Sequence, residues 1–425
     1  MNTTFNISLS PEGSAAAADS VLSDEILRIK SIGLSLSALE WWTIEDFANH
    51  VADAVDARPY RWFDYSIPAA LQYATIERLR KPYQAKLAYI DSAPGDDGGT
   101  AIICLGGTVN SARRFDFLAA DLSAAHRVIS VDWPGRGRSG WLAQQSHYTP
   151  ALLAFAVESL IDGLGLRRVT IVGSSLGGLI GMDIAARSPS LVNRMILNDI
   201  GPEIPGGHRQ RRAEAVSRYH LFQTPSDLFR RAGAAQKHDG PLSDAVRLHN
   251  IMGQTKRCEA GGGREYRHDP RTTQAYAEQV TKDVNQWNDF HALRCPILLL
   301  HGEDSEVTPP ELVRRMQMVK SDSLTVVHVP LTGHTPALAD HATTTVIGSW
   351  LAGASLPAES TLPLCPAPTR LLFVDASPEA QVQPRTTTTA AILTWQQTSV
   401  SRPLTAMRKT GIMDAGVDVV GWRQS

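Results

Sequence analysis

Two stretches of this chain alternate short β-rich apolar runs with amphipathic helical segments, and that alternation leaves few folds open. The runs are Leu87–Ile90, Ala101–Leu105, Val128–Val131, Val169–Val172 and Met195–Leu197, with helices predicted at Ala112–Ala125, Pro150–Leu164 and Leu176–Ser188. Apolar runs of this length, each followed by a helix, describe parallel strands buried on both faces and joined by right-handed crossovers. The pattern returns at Ile297–His301, then a helix at Pro310–Lys320, a run at Thr325–Val329 and a helix near Thr343–Leu351. The predicted class is therefore α/β, a mostly parallel central sheet flanked by helices and built from residues 87–201 and 294–353. Residues 202–293 interrupt it; they are Arg-rich and helical in pattern, and are read as a helical cap inserted after the sixth strand.

The ends read differently. Residues 1–20 are polar and Ser/Ala-rich, a disordered N-terminus, and residues 354–425 are Pro- and Thr-rich, a low-complexity tail with no assigned role. Residues 21–86 place apolar side chains at helical intervals, with Trp41, Trp42 and Trp62 as anchors, which predicts a helical N-terminal extension. The 425 residues hold 41 Lys+Arg against 43 Asp+Glu, a net charge of −2, so no global field favours nucleic acid or an anionic membrane. No apolar stretch approaches the ~20 residues that span a bilayer, and a soluble cytoplasmic protein acting on a small molecule is expected. Cys104, Cys258, Cys295 and Cys365 form no Cys-x-x-Cys pair, which predicts buried structural thiols rather than a zinc site or a disulfide framework.

The strongest chemical signal is Val172-Gly173-Ser174-Ser175-Leu176-Gly177-Gly178, a Gly-x-Ser-x-Gly placed after a strand and before a helix. So sharp a turn excludes side chains two residues either side of the serine and lifts its hydroxyl above the sheet, which makes Ser175 the candidate nucleophile. A hydroxyl at its free pKa is a poor nucleophile and needs a histidine base with a carboxylate to orient it. Of the 13 histidines, His334 follows the last predicted strand, where a loop reaches back over the sheet; His328 lies inside that strand and suits packing. The basic cluster His208-Arg209-Gln210-Arg211-Arg212 reads as a solvated helix face, and Gly261-Gly262-Gly263 as a flexible cap loop.

Together these residues resemble the α/β-hydrolase-fold superfamily, in its capped serine-hydrolase, carboxylesterase-like form. The resemblance runs from about Leu87 to Leu351 and rests on Leu105-Gly106-Gly107-Thr108, Asp132-Trp133-Pro134-Gly135-Arg136-Gly137-Arg138-Ser139, the Ser175 turn, Asn198-Asp199-Ile200-Gly201-Pro202, the run Cys295–Asp304, and Gly333-His334. It implies an oxyanion hole from the backbone N–H groups of Leu176 and Thr108, with Gly106 standing where the family usually has His. It implies that Asp132 to Ser139 serves loop structure. The family's commonest acid position, Gly-x-x-Asp-x-x-x-Pro, falls on Ser305, with Pro309 in its expected place and Asp304 one residue early. Relatives that carry the acid after the sixth strand point instead to Asp199, which is preferred, with Asp304 the alternative. The resemblance implies hydrolysis of a carboxylic ester or related acyl compound through an acyl-enzyme, with no cofactor or metal. Lactone, thioester or carbon–carbon hydrolysis would use the same groups, and a receptor-like ligand-binding protein on the same scaffold is the alternative of another class.

Overall fold

The computed structural model describes residues 60–67, 83–93, 100–204, 264–279 and 283–364 continuously, most of 221–258, and short paired segments nearer both ends. A nine-stranded sheet organises the chain: β1 (Tyr60–Ile67), β2 (Tyr83–Asp91), β3 (Thr100–Leu105), β4 (Arg127–Val131), β5 (Arg168–Ser174), β6 (Val192–Asn198), β7 (Ile297–Gly302), β8 (Leu324–Val329) and β9 (Glu359–Thr361). Their spatial order is β9-β8-β7-β6-β5-β3-β4-β2-β1. From β4 to β9 the pairings are parallel; β2 is antiparallel to both β4 and β1.

The period of two along the central strands explains why they read as continuous apolar text. Ile103 and Leu105 pack into one cluster with Leu152, Val157 and Leu160 of helix α2 (Pro150–Gly163) and Ile180 and Ile184 of α3 (Leu176–Arg187). Ile102 and Cys104 point the other way, among Phe115, Leu118 of α1 (Asp116–Leu122), and Ile347 and Trp350 of the C-terminal helix of the core, His341–Leu351. Each fully buried Leu, Ile or Val removes enough apolar surface to stabilise the fold by about 1.5–3 kcal/mol, and both faces need such residues. Helix α2 begins on Pro150 with the Thr149 side chain accepting the Leu152 N–H, the usual economy of proline in a first turn. Cys104 and Cys295 are buried free thiols, and Cys258 is half-buried.

Three sequence expectations need correction. Tyr60–Ile67 lies within the expected helical extension but is an edge strand paired along its whole length with β2. Burial alternates from Phe63 to Ile67, with Asp64 and Ser66 exposed and Tyr65 and Ile67 buried, as a half-exposed pleat requires, and Trp62 is 48% exposed rather than an anchor. The segment between β6 and β7, expected as a helical cap, holds helices α4 (Pro225–Ala234), α5 (Asp244–Gln254), α6 (Pro270–Gln279) and α7 (Trp287–Ala292), yet it is not wholly helical. Arg264–Tyr266 pairs antiparallel with both Leu221–Phe222 and Thr255–Arg257, and Val284–Asn285 pairs with Glu203–Ile204. The expected tail contributes β9, held by Leu362 packing into the core, by the Leu362 N–H donating to the His328 carbonyl (2.9 Å), and by His328 Nε2 at 2.8 Å from Glu359.

Thr4–Asn6 also pairs with Trp42–Thr43 and with Val374–Asp375, so both ends contain short paired segments where disorder or helix is expected. The basic cluster His208–Arg212, the Gly261–Gly263 run and Cys365 lie outside the described residues, as does most of the remainder of both ends. Among the described residues no helix is long and apolar enough to cross a membrane.

The inserted segment is fastened to the loop after β4 where Asp269 donates its N–H to the Gly135 carbonyl (2.8 Å), beside a bridge between Arg136 and His268. Burial first, and then the Arg136 charge, push the His268 pKa down to about 4. Unfolded histidine titrates near ~6.5, so between these values the unfolded chain takes up a proton that the folded chain refuses. Stability is therefore expected to fall as pH drops from ~6.5 towards 4, by up to on the order of 3 kcal/mol. Urea unfolding at pH 7 and pH 5 checks this; His268→Gln should flatten the dependence, and an unchanged slope in that variant would assign it elsewhere.

Candidate active site

The site forms where β5 turns into α3. Ser175 occupies that turn with φ 50° and ψ −115°, a left-handed conformation that a side-chain-bearing residue holds only when its surroundings enforce it. The enforcing contacts are backbone against backbone. A Cβ on Gly177 would lie 2.0 Å from the Leu105 carbonyl oxygen, and one on Gly173 would lie 2.5 Å from the Gly178 Cα. Gly177→Ala must therefore push α3 away from β3. The expected cost is about 2–3 kcal/mol of unfolding free energy, read by denaturant titration.

His334 lies in the loop after β8, and its two ring nitrogens face two different groups. Nε2 is 2.8 Å from Ser175 Oγ, and Nδ1 is 2.8 Å from Asp199 Oδ2. An ionised carboxylate only accepts, so Nδ1 carries the hydrogen, Nε2 is left with its lone pair, and the Ser175 hydroxyl donates to it. Asp199 is fully buried at the end of β6, also in the left-handed region at φ 52°, where its backbone leaves the sheet for the inserted segment. Its Oδ1 accepts the Gly302 N–H (3.0 Å), and its Oδ2 accepts the Ser305 hydroxyl (2.6 Å) as well as His334. Asp304 is exposed, and its backbone N–H donates to the Thr332 carbonyl (2.8 Å). The structure thus brings Ser175, His334 and Asp199 into one hydrogen-bonded row and leaves Asp304 beside it.

The loop after β3 passes over the serine turn, since a Cβ on Gly107 would be 3.6 Å from Ser175 Cβ. Its backbone is pinned by groups outside the expected site. Trp133 Nε1 donates to the Gly106 carbonyl (2.8 Å), Arg136 Nε to the Thr108 carbonyl (2.8 Å), and the Gly107 N–H to Asn110 Oδ1 (3.1 Å). Burial pulls the Arg136 pKa down to about 10, so this guanidinium stays protonated at neutral pH. Asn198 ties two loops together: its side-chain amide donates to Ser174 Oγ (2.8 Å) and to the Pro336 carbonyl (2.9 Å), which holds the His334 loop against the serine turn. The resemblance implies only loop structure for Asp132 to Ser139. Asp132 does serve that purpose by accepting the Ala112 and Arg138 N–H groups, but Trp133 and Arg136 in the same motif also shape the site. Leu176 opens α3 and Thr108 is buried in the pinned loop, so the N–H groups expected to form an oxyanion hole lie on the two elements that flank Ser175.

A model of the alpha/beta hydrolase family matches residues 102–346. The chain belongs to the alpha/beta hydrolase family. Among curated proteins, this hydrolase is 29% identical over 268 residues to a 3-hydroxybutyrate-oligomer hydrolase of Cupriavidus necator, covering 60% of this chain and 88% of that one. It is 29% identical over 240 residues to an esterase of Mycobacterium tuberculosis, covering 54% and 73%. Among solved structures, an alpha/beta hydrolase from Novosphingobium aromaticivorans superimposes with TM-score 0.56 at 24% identity, over 68% of this chain and 98% of that one, a likeness of fold.

Proposed function

We propose that this alpha/beta hydrolase cleaves carboxylic esters of small molecules through an acyl-enzyme on Ser175. The observation that carries the reading is the continuous row from Ser175 Oγ through both nitrogens of His334 to Asp199, each link 2.8 Å. His334 takes the Ser175 proton as Oγ attacks the ester carbonyl, and Asp199 stabilises the imidazolium that results. The carbonyl oxygen becomes an oxyanion, met by the N–H groups of Leu176 and Thr108; such a donor is worth about 3–4 kcal/mol in comparable sites. His334 returns the proton to the departing alkoxide. Water then attacks the acyl carbon as it gives its proton to the same nitrogen, and His334 passes that proton to Ser175 Oγ as the bond to the acyl group breaks and the acid leaves. Asp304 takes no part.

The relative from Cupriavidus necator directs the choice of substrate towards short hydroxyacyl esters, in which one 3-hydroxybutyrate unit is esterified to the hydroxyl of the next. The test is hydrolysis of p-nitrophenyl butanoate and of the linear 3-hydroxybutyrate dimer by the full chain. Release of p-nitrophenol faster than the steady state in the first turnover, together with cleavage of the dimer to monomer, is expected. Hydrolysis of neither ester by folded protein would contradict the reading and favour a ligand-binding role.

A further inference from the structure

Ser305 stands where the commonest pattern of this family has its acid, yet it is neither idle nor a carboxylate. It is buried at 7% exposure, and its Oγ accepts the N–H groups of Val307 (3.2 Å) and Thr308 (3.1 Å). Two N–H donors occupy both lone pairs of a hydroxyl oxygen, so its own hydrogen has one direction left, towards Asp199 Oδ2 at 2.6 Å. The turn is fixed in its place by the Ser305 N–H to the Gly302 carbonyl (2.9 Å) and by the Thr308 carbonyl facing His301 Nε2 (2.8 Å).

We propose that Ser305 is a positioning residue of the proposed reaction: it sets the orientation of the Asp199 carboxylate and moderates the charge that His334 feels. This inference rests on the reading of Ser175, His334 and Asp199 given above. Oδ2 accepts from Ser305 and His334 together, so the hydroxyl fixes the angle at which the carboxylate meets Nδ1. It also draws negative charge onto itself. Without it, the carboxylate presents more of its charge to His334, the imidazolium is favoured, and the base is protonated up to a higher pH. Of the other titratable groups around the row, Glu303, Asp304 and Glu306 are exposed and screened by water, burial lowers the His301 pKa, and His238 and the Arg114–Asp239 pair pack on the His334 loop at Gly333 and Thr335; none of them contacts Asp199 Oδ2 to replace the missing hydroxyl.

The experiment compares wild type, Ser305→Ala and Ser305→Thr in kcat, KM and the pH profile of kcat/KM with p-nitrophenyl butanoate, with Ser175→Ala alongside. Ser305→Ala is expected to lower kcat about tenfold with KM within about twofold, and to move the acid limb up by about 0.5 pH unit. Ser305→Thr, which keeps the hydroxyl, should hold the limb at the wild-type position. A limb that does not move in Ser305→Ala overturns the proposal, whatever the change in rate, because loosened packing rescales a pH profile without displacing it. If Ser175→Ala retains wild-type turnover, the underlying reading fails instead, and the two failures are told apart.

Discussion

Ser175→Ala is expected to lower kcat/KM for ester hydrolysis by about four to six orders of magnitude while leaving the unfolding midpoint close to wild type. The size of the loss follows from what remains. Without Oγ no covalent intermediate forms, and the surviving N–H donors and bound substrate give only the residual acceleration that such sites retain. The fold should tolerate the change because the strained turn is enforced by Gly173 and Gly177 packing on Gly178 and Leu105, not by the serine hydroxyl. Steady-state kinetics with p-nitrophenyl butanoate, on protein verified as folded, is the measurement. A residual rate above one hundredth of wild type would move the chemistry to another group.

Asp199→Asn and Asp304→Asn should differ by orders of magnitude. The Gly302 N–H is a fixed backbone donor that needs an acceptor, which turns the asparagine so that its oxygen takes the Oδ1 place and its NH2 takes the Oδ2 place, facing His334 and Ser305. Nδ1 must then accept, the hydrogen moves to Nε2, and Ser175 loses its base. The comparable substitution in serine proteases costs about 10⁴ in kcat, and a loss of about 10³ to 10⁴ is expected here. Asp304→Asn should stay within about twofold, since an exposed carboxylate away from the row contributes little. Kinetics of the two variants in parallel decides between them, and a larger loss in Asp304→Asn would reverse the assignment.

The central strands and the serine turn were legible because their signals are local. A strand buried on both faces is apolar throughout, and the turn requires glycines at fixed spacing from the serine. The position of the acid was not local. Asp199 and the Gly302–Ser305 turn are about a hundred residues apart, and they meet because β6 and β7 pair in a register that sets Asn198 opposite Leu300. Sequence spacing therefore offered two candidates for one point in space. Only the pairing separates the buried carboxylate from the exposed one.

The misread segments failed for equally physical reasons. Tyr60–Ile67 is an edge strand with mixed exposure, and its aromatics fall at intervals that a helix also satisfies. In β9, three residues amid Pro-rich text are structured by partners far away in the chain: Glu359–Thr361 pairs with Val326–His328, and Leu362 fills a gap by the outer face of the sheet. Composition reports average solvation and misses a strand that short. The pinning of the loop after β3 by Trp133, Arg136 and Asn110 was hidden for a related reason, because the missing family histidine at Gly106 gives no indication of what replaces it.

Intact-mass analysis after reaction with a fluorophosphonate tests the central claim, an activated serine at this turn, most directly. The account predicts one adduct per wild-type chain, mapped to Ser175, absent in Ser175→Ala, and formed far more slowly in Asp199→Asn than in Asp304→Asn. Folded wild-type protein that takes up no label, or an adduct that persists in Ser175→Ala, would contradict it.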